Sequence, residues 1–291
     1  MSLSQLFEKK QVTSYELFPP KTPAGEKSLR RHVEQLMQFS PDFITCTYGA
    51  GGSTQGKTLD IIEDVKNLYN VPVASHLTLV GSSVDDLRTY LEQARARSVD
   101  YIVALRGDPP QGETEFQATA GGYRYANELV ELINAEFNDL GVLVAGYPEK
   151  HREAPSLDVD LDNLKRKVDA GAHAIVTQLF YNNEDFFRFR DLCEQKGINI
   201  PIVPGLLPVT SLKQIQRISS LCGAKLPVPF VQELEANPEP EAQFKIGVAQ
   251  AIQQTQELID ADVAGLHFYV LNKSDATVQI MAAINRTSPS D

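Results

Sequence analysis

The chain has 291 residues, 42% of them hydrophobic and 22% charged, a balance suited to a soluble globular fold with a sizeable core. Its formal charge of −11 argues against a nucleic-acid or anionic-membrane partner. Three widely separated cysteines, Cys46, Cys193 and Cys222, form no C-x-x-C pair, so neither a zinc site nor a disulfide framework is expected and no metal is implied.

The N-terminal MSLSQLFEKKQ carries no apolar signal core and no run is long enough to span a bilayer, so a cytoplasmic protein is expected. The first β-prone run, TSYELF (13–18), is followed by a helical face of Leu29, Val33, Leu36 and Met37. DFITCTY (42–48) leads through a glycine-rich stretch into a helix placing Leu59, Ile62, Val65 and Leu68 on one face. Further strands are expected at VPVASHLTL (71–79), DYIVALRG (100–107), GVLVAGYP (141–148), HAIVTQLF (173–180) and IPIVPGLL (200–207). Leu161, Leu164 and Val168 share a helical face after the fifth. A proline-rich, acidic connection (223–241) precedes a long helix (242–260), and AGLHFYVLN (264–272) supplies the last strand. Eight β-then-α units without a break in composition predict an α/β fold, a (β/α)8 TIM barrel, as one domain over residues 1–291. A doubly wound open sheet would use fewer strands.

Strands of a parallel barrel are covered on both sides and should read as apolar runs. Glu16, Thr47, His76, Asp108, Tyr147 and Gln178 break that rule, each in the C-terminal half or at the end of a different strand. Barrel enzymes build their sites at that face, so the six converge on one pocket. Each keeps a plainer reading. Glu16 could form a structural ion pair, Asp108 could start a turn, His76 could be a satisfied core histidine, and Gln178 could bond to backbone.

Two nucleotide motifs also occur. GGSTQGKT (51–58) matches the phosphate-loop pattern, and NKSD (272–275) matches a guanine-recognition pattern. A phosphate-loop enzyme also needs a strand ending in a magnesium-holding aspartate, whereas Arg106 and Gly107 intervene between the fourth strand and Asp108. DVAG (262–265) lies too close to NKSD to serve a separate loop. The nucleotide-hydrolase reading is therefore the weaker alternative, and the glycines mark a tight loop at the catalytic end of the second strand.

In chain order, YELFPPK (15–21), TYGAGGS (47–53), SHLT (75–78), ALRGDPP (104–110), AGYPEKH (145–151), NLKRKVDAGA (163–172), TQLF (177–180), PGLLPV (204–209) and GLHFYVLN (265–272) resemble the catalytic domain of the methylenetetrahydrofolate reductases. The resemblance spans almost the whole chain. It implies reduction of 5,10-methylenetetrahydrofolate to 5-methyltetrahydrofolate, in one-carbon metabolism and methionine supply, with FAD reduced by NADH or NADPH in a ping-pong cycle. Carried over by position, Thr47, His76, Arg106, Gly107 and Asp108 would surround the flavin ring and ribityl chain, while Tyr147, His151, Asp160, Asn163 and Lys167 would hold the rest of the FAD. Glu16 would be the general acid, with a pKa raised by its apolar strand, Asp108 an ionised stabiliser, and Gln178 a hydrogen-bond partner of pterin or nicotinamide.

GDPPQG stands where some bacterial members have GDLPPG, and Ile218 where some place a substrate-facing Phe. The resemblance implies a bacterial-type chain of the catalytic domain alone, without the regulatory domain that binds S-adenosylmethionine in eukaryotic members. It leaves open the choice of donor and a homo-oligomeric state. A flavin-free, pterin-binding methyl transferase on a barrel is the rival within the fold.

Overall fold

Strands β1 (Val12–Leu17), β2 (Phe43–Cys46), β3 (Val73–Thr78), β4 (Tyr101–Leu105), β5 (Gly141–Gly146) and β6 (Ala174–Thr177) pair in sequence order, all parallel, in a computed structural model that describes residues 2–9, 11–48, 55–109 and 116–284. The seventh run divides at Pro204. Its first half, β7 (Ile202–Val203), pairs with β6, and its second half, β8 (Gly205–Leu206), pairs with the last strand, β9 (Gly265–Tyr269). Since β9 also pairs with β1, the split strand brings the sheet round into a nearly closed barrel.

Pro204 has no N–H for a ladder, but its carbonyl accepts from His267 N. Gly205 makes the crossover sterically feasible, because a Cβ there would lie 2.2 Å from Thr177 O and 2.7 Å from the Tyr269 ring.

Helices α2 (Pro23–Met37), α3 (Gln55–Tyr69), α4 (Val84–Ala96), α5 (Ala126–Glu136), α6 (Leu157–Asp169) and α7 (Asn183–Gln195) follow the first six strands, and α11 (Asp275–Ala283) follows β9. Three helices, α8 (Leu212–Cys222), α9 (Val228–Ala236) and α10 (Pro240–Asp260), occupy the longer span between β8 and β9. The connection over 223–241 thus contains a helix. Pro227 and Val228–Pro229 start it, proline being tolerated in the first turn where its missing N–H is not needed.

Leu59, Ile62 and Val65 are buried, but Leu68 is 66% exposed. Each three-residue step falls about 60° short of a full turn, so three steps carry Leu68 to the face opposite Leu59.

The two faces of the sheet have separate cores. Tyr15 and Leu17 pack outward with Leu29, Val33 and Leu36 of α2. Val12, Phe43, Ala74, Tyr101, Leu143 and Val203 fill the barrel interior together with Leu3 and Leu6 of α1 (Leu3–Lys9), which associates the short helix with the interior core. Since alternate strand residues face opposite ways, the inward parity of Val12 continues to Ser14 and then Glu16. No helix among the described residues is long and apolar enough to cross a membrane.

Candidate active site

Glu16 lies on the inward parity of β1 and is only 6% exposed. Its Oε2 is 3.2 Å from His76 Nε2 on β3 and 3.7 Å from His267 Nε2 on β9. His267, 1% exposed, has its other ring nitrogen 2.8 Å from Ser14 Oγ. An ionised carboxylate assigns N–H to both Nε2 atoms, so the Ser14 hydroxyl donates to His267 Nδ1. Two residues of β1 and one each of β3 and β9 therefore form a linked chain: Ser14, His267, Glu16, His76.

This chain corrects one expectation. Burial alone would push the Glu16 pKa up, but attraction to His76 and hydrogen bonds from His267 and His76 outweigh it and hold the pKa at about 2. In the ligand-free protein Glu16 is ionised at neutral pH.

Tyr269 stands beside His267, edge to face at 5.1 Å, and its hydroxyl donates to Thr177 O at 2.7 Å. Burial pushes its phenol well above the ordinary range, and the charges of Glu16 and Tyr147 push the same way. Gln178 continues from β6, where its N–H donates to Gly146 O and its side-chain oxygen accepts from Leu179 N. Thr47 closes β2, donating its N–H to Leu17 O.

A second polar group gathers at the C-terminal ends of β4 and β5. Arg106 donates to both carboxylate oxygens of Glu153, at 2.6 and 2.7 Å, and lies over the Phe116 ring. Gly107 has φ +88, and a Cβ there would come within 2.7 Å of Val80 Cγ2. Asp108 is exposed and interacts electrostatically with Arg106 and Tyr147.

Tyr147 meets His151 edge to face at 4.6 Å. The His151 N–H donates to Asp160 Oδ2 at 2.8 Å, and burial lowers the pKa of its imidazole. Lys167, one face of α6 with Asp160, donates from Nζ to Ala145 O at 2.5 Å. Desolvation lowers its pKa from 10.5 to about 8, with the Asp160 charge opposing. Asn163 is exposed, and its Oδ1 accepts from Arg166.

The structure thus joins Glu16 with His76, and Tyr147 with His151, Asp160, Lys167, Arg106 and Asp108; Asn163 lies at the outer edge. His267, Ser14, Tyr269 and Glu153 are additions. His267 and Ser14 break apolar strands as Glu16 does, so the same rule could have found them. Ile218 lies in α8, against the cluster that includes Leu207, Val209 and Phe230.

The phosphate-loop motif lies partly at Gly51–Thr54, outside the described residues. Of its remainder, Thr58 donates its hydroxyl to Thr47 O, and Lys57 is exposed in a groove between α2 and α3, beside Glu26, Asp60 and Asp64. Among the described residues no cluster of His, Cys, Asp and Glu has metal-binding geometry.

Fold and site together define an α/β barrel with its polar chemistry gathered around the C-terminal ends of its strands. Comparison with known proteins gives the family. The family model for methylenetetrahydrofolate reductase matches residues 2–285, and the chain belongs to that family. It is 36% identical over 268 residues to the 5,10-methylenetetrahydrofolate reductase of Escherichia coli, covering 92% of this chain and 88% of the relative. It is 37% identical over 279 residues to methylenetetrahydrofolate reductase (NADH) 1 of Arabidopsis thaliana, covering 92% of this chain but only 47% of that one. The chain spans about half the length of the plant relatives. Among solved structures, a Clostridium thermocellum protein described as binding two copies of 5-methyl-5,6,7,8-tetrahydrofolic acid shares the fold, with a TM-score of 0.67 at 17% identity and 97% coverage of both chains.

Proposed function

We propose that this chain reduces 5,10-methylenetetrahydrofolate to 5-methyltetrahydrofolate, using FAD and a nicotinamide nucleotide in two alternating half-reactions. Family membership supports the reaction, and the Arabidopsis relative named for NADH supports the donor class. The observation that carries the mechanism is the buried Glu16 carboxylate held between two imidazoles at the barrel's C-terminal side.

The residues present fit FAD. Lys167, desolvated beside the Asp160 carboxylate, provides a cationic group suited to a diphosphate. Tyr147, His151 and Asp160 adjoin it, with Asn163 at the rim, while Thr47, His76, Arg106, Gly107 and Asp108 stand toward strand ends where a flavin ring would lie. When bound, FAD supplies the hydride.

Glu16 delivers a proton to substrate N10, the C–N10 bond opens, and the methylene carbon on N5 becomes an iminium that takes up the hydride as a methyl group. Because Glu16 is ionised in the free protein, it relays a proton carried in by His76. Ser14 keeps the His267 Nε2 edge turned toward the carboxylate. The Asp108 carboxylate stabilises the cationic iminium. Gln178 hydrogen-bonds the pterin in one half-reaction and the nicotinamide in the other.

Stopped-flow measurement of the separate half-reactions tests the assignment. Glu16→Gln is expected to abolish folate-driven reoxidation of the flavin while leaving its reduction by NADH or NADPH nearly unchanged. Equal loss in both halves would defeat the proton-transfer role.

A further inference from the structure

The motif NKSD (272–275), which matches a guanine-recognition pattern, has a structural use that bears on Glu16. The β1–β9 ladder runs in register from Val12 opposite Gly265 to Glu16 opposite Tyr269. It cannot continue as backbone, because Pro19 and Pro20 follow Phe18 and the partner chain turns away after Val270.

At that point Asn272 replaces the missing rung. Its Oδ1 accepts from Phe18 N at 2.8 Å, and its Nδ2 donates to Phe18 O at 2.7 Å. One side-chain amide thus makes both bonds that a paired strand residue would make, two residues beyond Glu16. The reach requires an unusual backbone. Leu271 and Asn272 have φ of 48° and 56°, consecutive left-handed residues that Asn tolerates and Leu does not favour. Such a backbone persists only where surrounding contacts impose it.

The next residues make a separate tie, to α2. Ser274 is fully buried at the start of α11, with Oγ 2.8 Å from His32 Nδ1 and donating to Gln35 Oε1 at 2.5 Å. Both partners lie on α2, whose face packs behind β1.

We infer that Asn272 is a positioning residue for the proton-transfer group, locking the C-terminal end of β1 against β9 so that the Glu16 carboxylate stays between His76 and His267. Those imidazoles come from β3 and β9, on either side of β1 in the barrel, so play at the free end of β1 changes both distances together. The proposal rests on the Glu16 assignment above, and its test separates the two.

The half-reactions are measured for Asn272→Ala, Asn272→Asp, Ser274→Ala, Glu16→Gln and the double variant Glu16→Gln/Asn272→Ala. Asn272→Ala is expected to slow the folate half-reaction on the order of tenfold, as a displaced reacting group does, with flavin reduction within about twofold of the parent. Its folate half-reaction should also show a shifted pH profile. Asn272→Asp keeps the acceptor for Phe18 N and loses the donor to Phe18 O, so it should show an intermediate loss and serves if the alanine variant does not fold. Ser274→Ala disturbs α2 and α11 but not Phe18, and should leave the balance of the two halves unchanged.

In the Glu16→Gln background, Asn272→Ala should add no further loss, since there is no acid left to position. Parallel loss in both halves, an unshifted pH profile, an equal imbalance in Ser274→Ala, or a full multiplicative loss in the double variant would overturn the proposal. A Glu16→Gln variant without selective loss sinks the proton-transfer reading itself. A selective Glu16→Gln loss beside a neutral Asn272→Ala sinks only the positioning role.

Discussion

Replacing Lys167 with Met should stabilise the ligand-free protein, although it removes a hydrogen bond. Desolvation holds the folded-state pKa of Lys167 at about 8 instead of 10.5, so below pH 8 the folded chain carries an ammonium that the unfolded chain solvates better. Between pH 8 and 10.5 the unfolded state binds the extra proton and stability rises with pH; below pH 8 the full penalty is present.

At about 1.4 kcal/mol per pH unit the penalty is roughly 3 kcal/mol at most. Partial exposure of the side chain and solvent screening reduce it to about 2. Loss of the bond to Ala145 O returns about 1 kcal/mol, leaving Lys167→Met more stable by about 1 kcal/mol at pH 7. Urea denaturation of FAD-free protein at pH 7 and pH 10 reads this directly. The variant's midpoint should be higher at pH 7, with the advantage shrinking or reversing at pH 10. A lower midpoint at pH 7, or a difference independent of pH, would show that the buried ammonium carries no such penalty. FAD titration of the same variant should show weaker binding, since the cation assigned to the diphosphate is gone.

The pKa of Glu16, lowered to about 2 from 4.5, has the opposite linkage: its stabilisation is full above pH 4.5 and is lost as pH falls toward 2. The stability of the parent relative to Glu16→Gln should therefore fall as pH is lowered through that window; denaturant midpoints at pH 7, 4.5 and 3.5 that show a constant difference would contradict it. Gly107→Ala combines a left-handed φ with a Cβ 2.7 Å from Val80 Cγ2, so it should cost about 2–3 kcal/mol and lower the thermal midpoint by several degrees; calorimetry would show an unchanged midpoint if the strain is absent. Glu153→Gln breaks a partly exposed bidentate pair and should cost no more than about 1 kcal/mol in denaturant titrations.

The barrel was legible because each strand is an apolar run set off by helical periodicity, and polar interruptions such as Glu16, His76 and Tyr147 marked the C-terminal side. What the local pattern hid was pairing. The seventh strand reads as one run, and only closure against β9 shows why it divides at Pro204. Likewise, the apolar strand around Glu16 suggests a raised pKa, whereas its value is set by two imidazoles from other strands. Leu68 marks the same limit of local pattern, because a three-residue spacing drifts off the buried face of α3 within three steps. NKSD shows that a motif's meaning lies in what its side chains reach: Asn272 and Ser274 tie β1 and α2 to the end of β9.

Folate reduction through a bound flavin can be read in the visible absorption spectrum of the purified protein, supplied with FAD, under anaerobic conditions. A flavin band should bleach on adding NADH or NADPH and return on adding methylenetetrahydrofolate, with 5-methyltetrahydrofolate as the product. A protein that takes up no FAD, or a flavin that stays reduced when the folate is added, would contradict it.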